Sequence, residues 1–511
     1  MYLLSALSVL CLLINVRARA TSDYKSQRVE LLSEEAQVAT GSTIQLSVEE
    51  KKANDILMAW KNMELNDAFW NPQYFNLSKH YLTYREDIKN SRVYQIIRRM
   101  PKGAALHIHS SMMLDVDTLL TLTYDDNLYV CFGKENFSLL FSIIKPKRPC
   151  KHEWTQLKMI RDMSDNITRF DAELSQFFAL HTRDTDDFID ADVNTVWKKF
   201  DQVYFAIKAL ISYRPLREQF VYESLKKFYE DNVMYVELRT GLHSLYELDG
   251  TLHDRKYIVD LYKRVTNKFM ETHPDFVGVK LIVTRHRQQN EDQVREAINI
   301  VRSLKAEEPN MIAGFDLVGQ EDLGRPLSEF VPVLNEAKDV DYYFHAGETT
   351  WLGTVSDENL FDAILLGSKR IGHAYALIKH PSLIKALINK NIAIEANVIS
   401  NNVLSLVRDI RNHPLATYLA VGLPVVLSSD DPGAWGADPL SHDFFVTFMG
   451  VASKKSDLRL LKQLAINSIE YSSLDEHRKN RLRQVFSNRW DKFIKDIIYS
   501  FATVSYDFKQ N

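Results

Sequence analysis

The sequence predicts an α/β protein, specifically a (β/α)₈ or TIM barrel of parallel strands surrounded by helices. Eight short apolar runs each end in polar or charged residues, and from the second run onward they alternate with segments of helical periodicity. This alternation is the pattern of parallel strands joined by crossover helices. No Gly-x-Gly-x-x-Gly motif follows the first run. An open nucleotide-binding sheet is therefore disfavoured, and eight strands favour a closed barrel.

The bulk composition agrees with a large globular core. Of 511 residues, 45% are hydrophobic and 25% are charged, and the formal net charge is −4. Such a balance gives no overall electrostatic footprint for nucleic acid or for an anionic membrane. The predicted strands are 104–110, 233–239, 277–286, 312–319, 342–348, 370–377, 392–399 and 424–431.

Residues 1–20 have the pattern of a cleaved signal peptide. The stretch 2–16 is almost wholly apolar, and about fifteen apolar residues are too few to span a bilayer core, which needs about twenty. Ala18 and Ala20 supply the small residues of a cleavage site, so Thr21 is the predicted first mature residue. A buried N-terminal helix is the alternative interpretation. No later segment is long and apolar enough for a membrane helix, and we predict a secreted, extracellular protein.

Cysteine usage agrees with export. Of three cysteines, Cys11 leaves with the predicted signal peptide. Cys131 and Cys150 remain as an even pair, for which an oxidising compartment favours a disulfide. Glycosylation sequons begin at Asn76, Asn136 and Asn166.

The predicted barrel is preceded and interrupted by additional segments. Residues 21–100 are predicted to form a helical arm, with a capping box at Ser47–Glu50, that covers the barrel or pairs with a second copy of the chain. Residues 101–121 would hold the first strand and helix, 122–180 an inserted subdomain, and 181–505 the remaining barrel. The insert carries a basic cluster at 145–151. This cluster is either a solvated loop or a contact for an anionic cell-surface receptor or sulfated glycan.

Histidines concentrate where a barrel places its chemistry. His107 and His109 are two residues apart on the first strand, so both side chains point to the same face. His345 ends the fifth strand, His373 lies on the sixth, and the eighth ends with Asp430 and its neighbour. Because active sites of such barrels gather at the carboxyl ends of strands, these side chains are predicted to meet.

The residue types predict a catalytic metal site. His107, His109, His345 and Asp430 form a ligand set suited to one Zn²⁺ per chain, and zinc makes water a usable nucleophile by lowering its pKa to about 7. Three nearby groups complete the predicted chemistry. Glu348 can approach a substrate without binding metal, His373 can take or hold a proton of the attacking water, and Asp431 can accept a hydrogen bond from a heterocycle.

At this point four motifs carry a family resemblance, and the match extends over essentially the whole mature chain. They are Met100-Pro-Lys-Gly with Leu-His-Ile-His109, Phe-His-Ala-Gly-Glu348, Arg-Ile-Gly-His373 and Ser-Ser-Asp-Asp431. Together they resemble the adenosine deaminase branch of the amidohydrolase-type barrels. The arm, the insert and the signal peptide resemble its secreted branch, the adenosine deaminase-related growth factors. The resemblance implies a homodimer formed by the arm, and it implies that Glu348 protonates the purine N1.

The same resemblance implies the substrate contacts. Asp431 and Gly319 would hold the base, and His286 would lie near the ribose. Trp197, Phe200 and Tyr204 would wall the pocket. Core packing at helical spacing is the alternative for these three aromatic residues, and a structural role at a strand end is the alternative for His286.

Three positions depart from the family pattern. Ser110 stands where family members usually place an aspartate as a sugar contact, so ribose affinity is in doubt. Ala374 replaces an expected glycine and is predicted to add a methyl group close to the site. Asn397-Val398 stand where Cys-Pro is commoner. None of these changes touches the metal ligands or the acid.

The predicted function is hydrolytic deamination of extracellular adenosine or 2′-deoxyadenosine to inosine or deoxyinosine and ammonia. Another purine nucleoside or nucleotide is an alternative substrate. Adenosine monophosphate is disfavoured because export fits it poorly and no added phosphate site is visible in the sequence. A secreted, growth-factor-like signalling protein with weak or lost turnover is an alternative from a different class.

Overall fold

The computed structural model describes residues 23–132 and 137–501. Its eight barrel strands form two parallel four-stranded sheets, the first four strands making one sheet and the last four the other. These strands, numbered one to eight below, are Gly103–His109, Val233–Thr240, Gly278–His286, Ile312–Val318, His345–Ala346, Arg370–His373, Ala393–Ala396 and Val425–Leu427.

Single bridges join the two sheets at both edges. Phe315 of strand four pairs with Tyr342, and Ile108 of strand one pairs with Asp430. At the second junction the amide of His109 donates to the carbonyl of Asp430 at 3.0 Å. The predicted α/β class and the predicted strand order are thus confirmed. Among the described residues, bridges replace continuous ladders at these two junctions.

The last four strands are shorter than predicted, mostly at their carboxyl ends. Backbone φ angles are positive at Gly347 (74°), His373 (61°), Ala374 (49°) and Asp430 (63°). This left-handed conformation cannot continue an extended strand, and after strand six the chain enters a 3₁₀ helix at Tyr375–Lys379. Hydrophobic patterning did not reveal these turns, so the predicted ends at 348, 377 and 431 were wrong. The predicted end at 399 was also wrong, because a helix over Val398–Val403 follows strand seven.

Helices separate and cover the strands. Helical periodicity predicted several of them, including the one over 292–304, which lies within Glu291–Glu307 and begins with a capping box at Asn290. The longer helices of this layer are Val193–Leu210, Arg214–Glu230, Arg255–Thr272, Glu291–Glu307, Leu327–Glu336, Val355–Leu365, Pro381–Lys390, Leu458–Glu470 and Glu476–Ser500. Shorter ones are Val116–Leu122, Asp186–Ile189, Val398–Val403, Leu415–Ala420, Pro432–Trp435 and Ser441–Val446.

The N-terminal arm is helical only in part. A helix over 23–38 is exposed along its whole length. The next helix, Val48–Trp70, begins with the predicted capping box, and its Glu50 accepts a hydrogen bond from Trp490 of the last helix at 2.8 Å. Pro72 lacks the N–H group that a continuing helix needs. Between 71 and 91 there are consequently only turns of three or four residues, followed by Arg92–Arg99.

The segment between strand one and helix Val193–Leu210 contains a small sheet of its own. Its antiparallel strands are Leu128–Phe132, Phe137–Phe141 and Thr155–Gln156, followed by helices Leu157–Asp162 and Ile167–Ser175. The predicted disulfide between Cys131 and Cys150 is present, with Cα atoms 6.1 Å apart. The ring of Phe141 stacks on Tyr213 at 4.6 Å, which joins this sheet to the barrel helices.

Some predictions concern residues outside the described ranges. The signal-peptide segment 1–20 and the sequon residue Asn136 are among them. Asn166 is exposed at the start of its helix, and Asn76 is half-buried. Within the described ranges, no helix has the length and apolar character needed to cross a membrane.

Candidate active site

A cavity of about 320 Å³ lies at the carboxyl ends of the barrel strands. This volume is within the range of small-molecule sites. All but one of the predicted metal, catalytic and substrate residues line it, and the exception is His107, which is fully buried next to His345 with ring centroids 4.5 Å apart. The lining residues from that prediction are His109, Ser110, Trp197, Phe200, Tyr204, His286, Gly319, His345, Glu348, His373, Asp430 and Asp431.

Ligand-type atoms converge around Asp430. The Nε2 atoms of His107 and His109 lie 3.3 and 3.1 Å from its Oδ1. Candidate ligand atoms of His107, His345, His373 and Asp430 lie within 4.8 Å of one another, as do those of His109, Asp430 and Asp431. The structure therefore brings the four predicted ligands together and adds His373 and Asp431 to their surroundings.

Carboxylates orient two of the histidines. Nδ1 of His107 lies 2.7 Å from Glu395, and Nδ1 of His345 lies 2.7 Å from Asp316. Such pairing leaves Nε2 as the free acceptor, as is usual for histidines that bind metals. Nε2 of His107 and Oδ1 of Asp430 are buried, and neither forms a hydrogen bond with any residue that the structure describes. Two unpaired acceptors facing each other fit a cation between them.

A buried ionic network, not predicted from the sequence, holds those carboxylates. Arg239 binds Asp316 at 2.8 Å and Glu395 at 2.7 Å, and Arg370 binds Glu395 and Glu237, each at 2.6 Å. Burial by itself would raise the pKa of Glu395, but Arg239 and Arg370 hold it well below the usual range. The carboxylates that orient the histidines thus stay ionised.

Glu348 has the properties of a proton donor. It is buried, and burial raises the pKa of its carboxyl group well above the ordinary value, with Asp430 and Glu321 adding to the effect. Its backbone amide donates to Glu321 at 2.7 Å, and the amide of Gly347 donates to the same carboxylate at 3.0 Å. Glu321, which the sequence analysis did not single out, therefore fixes the turn that carries the acid.

His373 has the properties of a proton acceptor. Burial lowers its pKa well below the ordinary value. Its Nδ1 lies 3.4 Å from Glu348, and its Nε2 lies 3.6 Å from Asp430. The side-chain amides of Asn397 and Asn401 lie 3.2 Å from Nε2 and Nδ1 respectively. Asn397, noted as a departure from the family pattern, therefore contacts the imidazole directly.

One aspartate and one glycine, Asp431 and Gly319, lie where the sequence predicts that the base is bound. Burial, followed by Asp430, raises the pKa of Asp431 well above its ordinary value, which favours a form that donates a hydrogen bond rather than the acceptor predicted from the sequence. Gly319 has φ of 98°, and a Cβ atom there would lie 2.4 Å from Nε2 of His286. Only glycine fits this close approach.

One face of helix Val193–Leu210 lines the cavity. Trp197, Phe200, Tyr204 and Lys208 recur at spacings of three or four residues and all line it, together with Asp201. The first three were predicted as pocket walls. They also pack against the hydrophobic core, so these side chains both line the cavity and contribute to packing.

The other two departures from the family pattern, Ser110 and Ala374, have different surroundings. Ser110 lines the cavity, and its carbonyl oxygen lies 3.5 Å from Nη1 of Arg217. Ala374 is fully buried and does not line the cavity, so its methyl group costs backbone strain at φ 49° rather than space for a substrate.

Three positively charged side chains also line the cavity, and the sequence did not predict that they lie close together. Lys208, Arg217 and Arg285 line it with His243. The arginines and the lysine are dispersed over two helices and a strand, and no motif links them. Only the folded chain shows that they share one wall.

The fold and the site together define an α/β-barrel hydrolase with a candidate metal centre. A family model described as "Adenosine deaminase" matches residues 179–488, and one described as "Adenosine/AMP deaminase N-terminal" matches residues 6–97. The chain belongs to the adenosine deaminase family, and it is a hydrolytic deaminase.

Relatives at substantial identity support this assignment. "Adenosine deaminase 2" of Homo sapiens is 42% identical over 478 residues, covering 92% of this chain and 93% of that protein. "Adenosine deaminase 2-A" of Danio rerio is 40% identical, with 92% and 93% covered. The solved N6-mAMP deaminase of Arabidopsis aligns with a TM-score of 0.56 at 20% identity, covering 77% of this chain and 99% of that one. This last likeness shows a shared fold.

Proposed function

We propose that the protein is an extracellular, zinc-dependent deaminase of adenosine and 2′-deoxyadenosine. The products would be inosine or 2′-deoxyinosine and ammonia, and the activity would deplete extracellular adenosine. One observation carries the proposal: a buried acid with a raised pKa, a neutral histidine and a cluster of metal-ligand side chains share one end of a nucleoside-sized cavity.

The residues of the chain divide the chemistry between them. His107, His109, His345 and Asp430 would hold zinc, which supplies activation of water as a nucleophile. His373 takes a proton from the attacking water. Glu348 gives a proton to N1 of the purine as addition of water at C6 removes the aromaticity of the ring.

The rest of the pocket orients the substrate. Protonated Asp431 donates a hydrogen bond to a ring nitrogen, and Gly319 allows the base to lie close to the backbone. Ser110 and His286 contact the sugar, and the aromatic face of helix Val193–Leu210 excludes water from the reacting end.

The direct test is the loss of adenosine absorbance on addition of the purified protein. We expect turnover that a zinc chelator abolishes and added zinc restores. A zinc-loaded preparation that leaves adenosine unchanged would contradict the proposal. It would favour the alternative of a secreted signalling protein without turnover.

The extracellular location rests on independent chemistry. A disulfide between Cys131 and Cys150 persists in oxidising compartments and is rare in the cytosol. Asn166 is exposed, as an acceptor of N-linked sugar must be. Next to the disulfide, Lys147, Arg148 and Lys151 are exposed, which supports contact of this loop with an anionic cell-surface partner such as a sulfated glycan.

We expect the protein to be a homodimer that pairs through the arm. Helix 23–38 exposes Tyr24, Leu31 and Val38 by 66%, 66% and 58% of their surface. Because these residues are seven positions apart, they lie on one face of the helix, and an exposed apolar stripe of this kind marks an interaction surface. Light scattering should give twice the chain mass at about micromolar concentration. Tyr24→Glu with Leu31→Glu should give monomers, whereas Glu30→Gln on the same helix should not. A monomeric wild-type protein would contradict this expectation.

A further inference from the structure

The cavity wall formed by Lys208, Arg217 and Arg285 carries uncompensated positive charge. None of the three forms an ion pair within residues 23–132 and 137–501. Their neighbours on the same two helices do: Lys199 pairs with Asp187 at 3.1 Å, and Arg214 pairs with Glu247 at 2.6 Å. Lys208 and Arg217 thus lack the carboxylate partners that Lys199 and Arg214 have on the same helices.

Arg217 is the strongest indication of a ligand. The residue is only 6% exposed, and within the described part of the chain its buried Nε–H group has no hydrogen-bond partner. Among the same residues, the one contact of its guanidinium with a hydrogen-bond acceptor is the long 3.5 Å approach to the carbonyl oxygen of Ser110. A buried, unpaired guanidinium is costly unless an anionic ligand satisfies it.

The cations meet around His243. Nε2 of His243 lies 3.4 Å from the hydroxyl of Tyr204, one helical turn before Lys208. Arg285 donates to the carbonyl of Gly241 at 3.0 Å. Burial, then Lys208, Arg217 and Arg285, lower the pKa of His243 to about 4. The histidine is therefore a neutral hydrogen-bonding group within a positively charged cluster.

The position of this cluster selects the part of a nucleoside that it can reach. Ser110, which Arg217 approaches, follows the candidate metal ligand His109 and is the predicted sugar contact. Ser110 carries no charge, so it does not oppose an anion there. Three acidic lining residues, Glu348, Asp430 and Asp431, lie at the reacting end. The fourth is Asp201, whose pKa is raised overall because the effect of burial exceeds the opposing effect of His286.

We propose that the cavity accepts a purine nucleoside 5′-monophosphate, with the phosphate bound by Arg217, Lys208 and Arg285. This inference rests on the proposed deaminase function, because the purine must reach Glu348 and His373. The reaction is unchanged: the oxygen of water bonds to C6, the C6–N bond breaks, and the amino group leaves as ammonia. The phosphate takes no part in the bond changes.

Substrate kinetics test the inference directly. We expect kcat/KM for adenosine 5′-monophosphate to exceed that for adenosine by at least about tenfold, because hydrogen bonds between charged partners are the strong ones. Adenosine 3′-monophosphate, with the same charge in another place, should show no such advantage. Raising the ionic strength should reduce the preference, because salt screens the attraction.

Variants assign the effect to the wall. Arg217→Gln and, separately, Lys208→Met should each lower kcat/KM for the 5′-monophosphate by at least about tenfold and that for adenosine by less than about threefold. Lys198→Met is the matched control, because Lys198 is exposed on the same helix as Lys208 and does not line the cavity. It should change neither value.

Ser110→Asp should reverse the preference. The new carboxylate gives the ribose a charge-assisted contact, so KM for adenosine should fall several-fold at nearly constant kcat. Because the carboxylate lies beside Arg217 and repels phosphate, KM for the 5′-monophosphate should rise. Ser110→Asn has a similar shape without the charge and should do neither. A KM for adenosine that rises together with that for the monophosphate would contradict the assignment.

Binding without turnover separates this inference from the proposed function. Calorimetry should show inosine 5′-monophosphate binding at least about tenfold more tightly than inosine, and this difference should vanish in Arg217→Gln. If adenosine is deaminated but the two inosine compounds bind equally, the phosphate site is overturned and the deaminase stands. If nothing is deaminated but the monophosphate still binds more tightly, the phosphate site stands and the deaminase is overturned.

Discussion

Glu348→Gln is expected to lower kcat by at least about 100-fold while leaving zinc content and the binding of a ground-state inhibitor nearly unchanged. Attack at C6 pushes electrons onto N1, which then needs a proton. Burial raises the pKa of Glu348 well above its ordinary value, which favours the protonated carboxyl group that gives this proton. Glutamine keeps the shape and one hydrogen bond but has no acidic proton to give.

Steady-state kinetics with elemental analysis would measure both effects. Glu358→Gln is the matched control, because Glu358 is exposed on helix Val355–Leu365 away from the cavity. If zinc were lost together with activity, Glu348 would be a ligand and its proposed role wrong. If activity survived, the proton would come from elsewhere, and His373 would be the next candidate.

Removing a metal ligand should abolish activity altogether. We expect about one zinc ion per wild-type chain, and loss of both zinc and measurable turnover in His107→Ala and in Asp430→Ala. Both side chains present a buried atom with no hydrogen-bond partner, and both lie within the same cluster.

Thermal denaturation would separate loss of metal from loss of fold. His477→Ala, at an exposed position on the last helix, should retain full zinc and activity. Asp430→Ala should remain folded, because its backbone hydrogen bonds with strand one involve no side-chain atom. A fully active preparation without bound metal would refute the zinc assignment.

Local patterns were enough to predict the strands and the residues at their ends. Each of the eight apolar runs overlaps one of the eight strands, because buried parallel strands need near-continuous apolar sequence. Their ends were harder to predict. The positive φ angles at His373 and Asp430 arise from the tertiary positions of those residues. The residue type alone does not predict at which position the backbone is left-handed.

Long-range charge pairing was beyond the sequence. Glu395 is 288 residues from His107 and 156 from Arg239, so no spacing rule connects them. The same holds for Lys208, Arg217 and Arg285, each of which alone resembles an ordinary surface cation. The disulfide was predictable because only one pair of cysteines lies outside the predicted signal peptide.

The ionic network beneath the histidines has a consequence for how the barrel can come apart. Arg239 on strand two joins carboxylates on strands four and seven, and Arg370 on strand six joins strands seven and two. If any one of these strands slid or detached, a charge would remain in the interior without its partner, at a cost of several kcal/mol. Partial opening of the barrel is therefore unfavourable, and we expect these strands to separate together rather than one at a time. One ionic network thus has two effects: it fixes the positions of the histidines, and it makes separation of the strands cooperative.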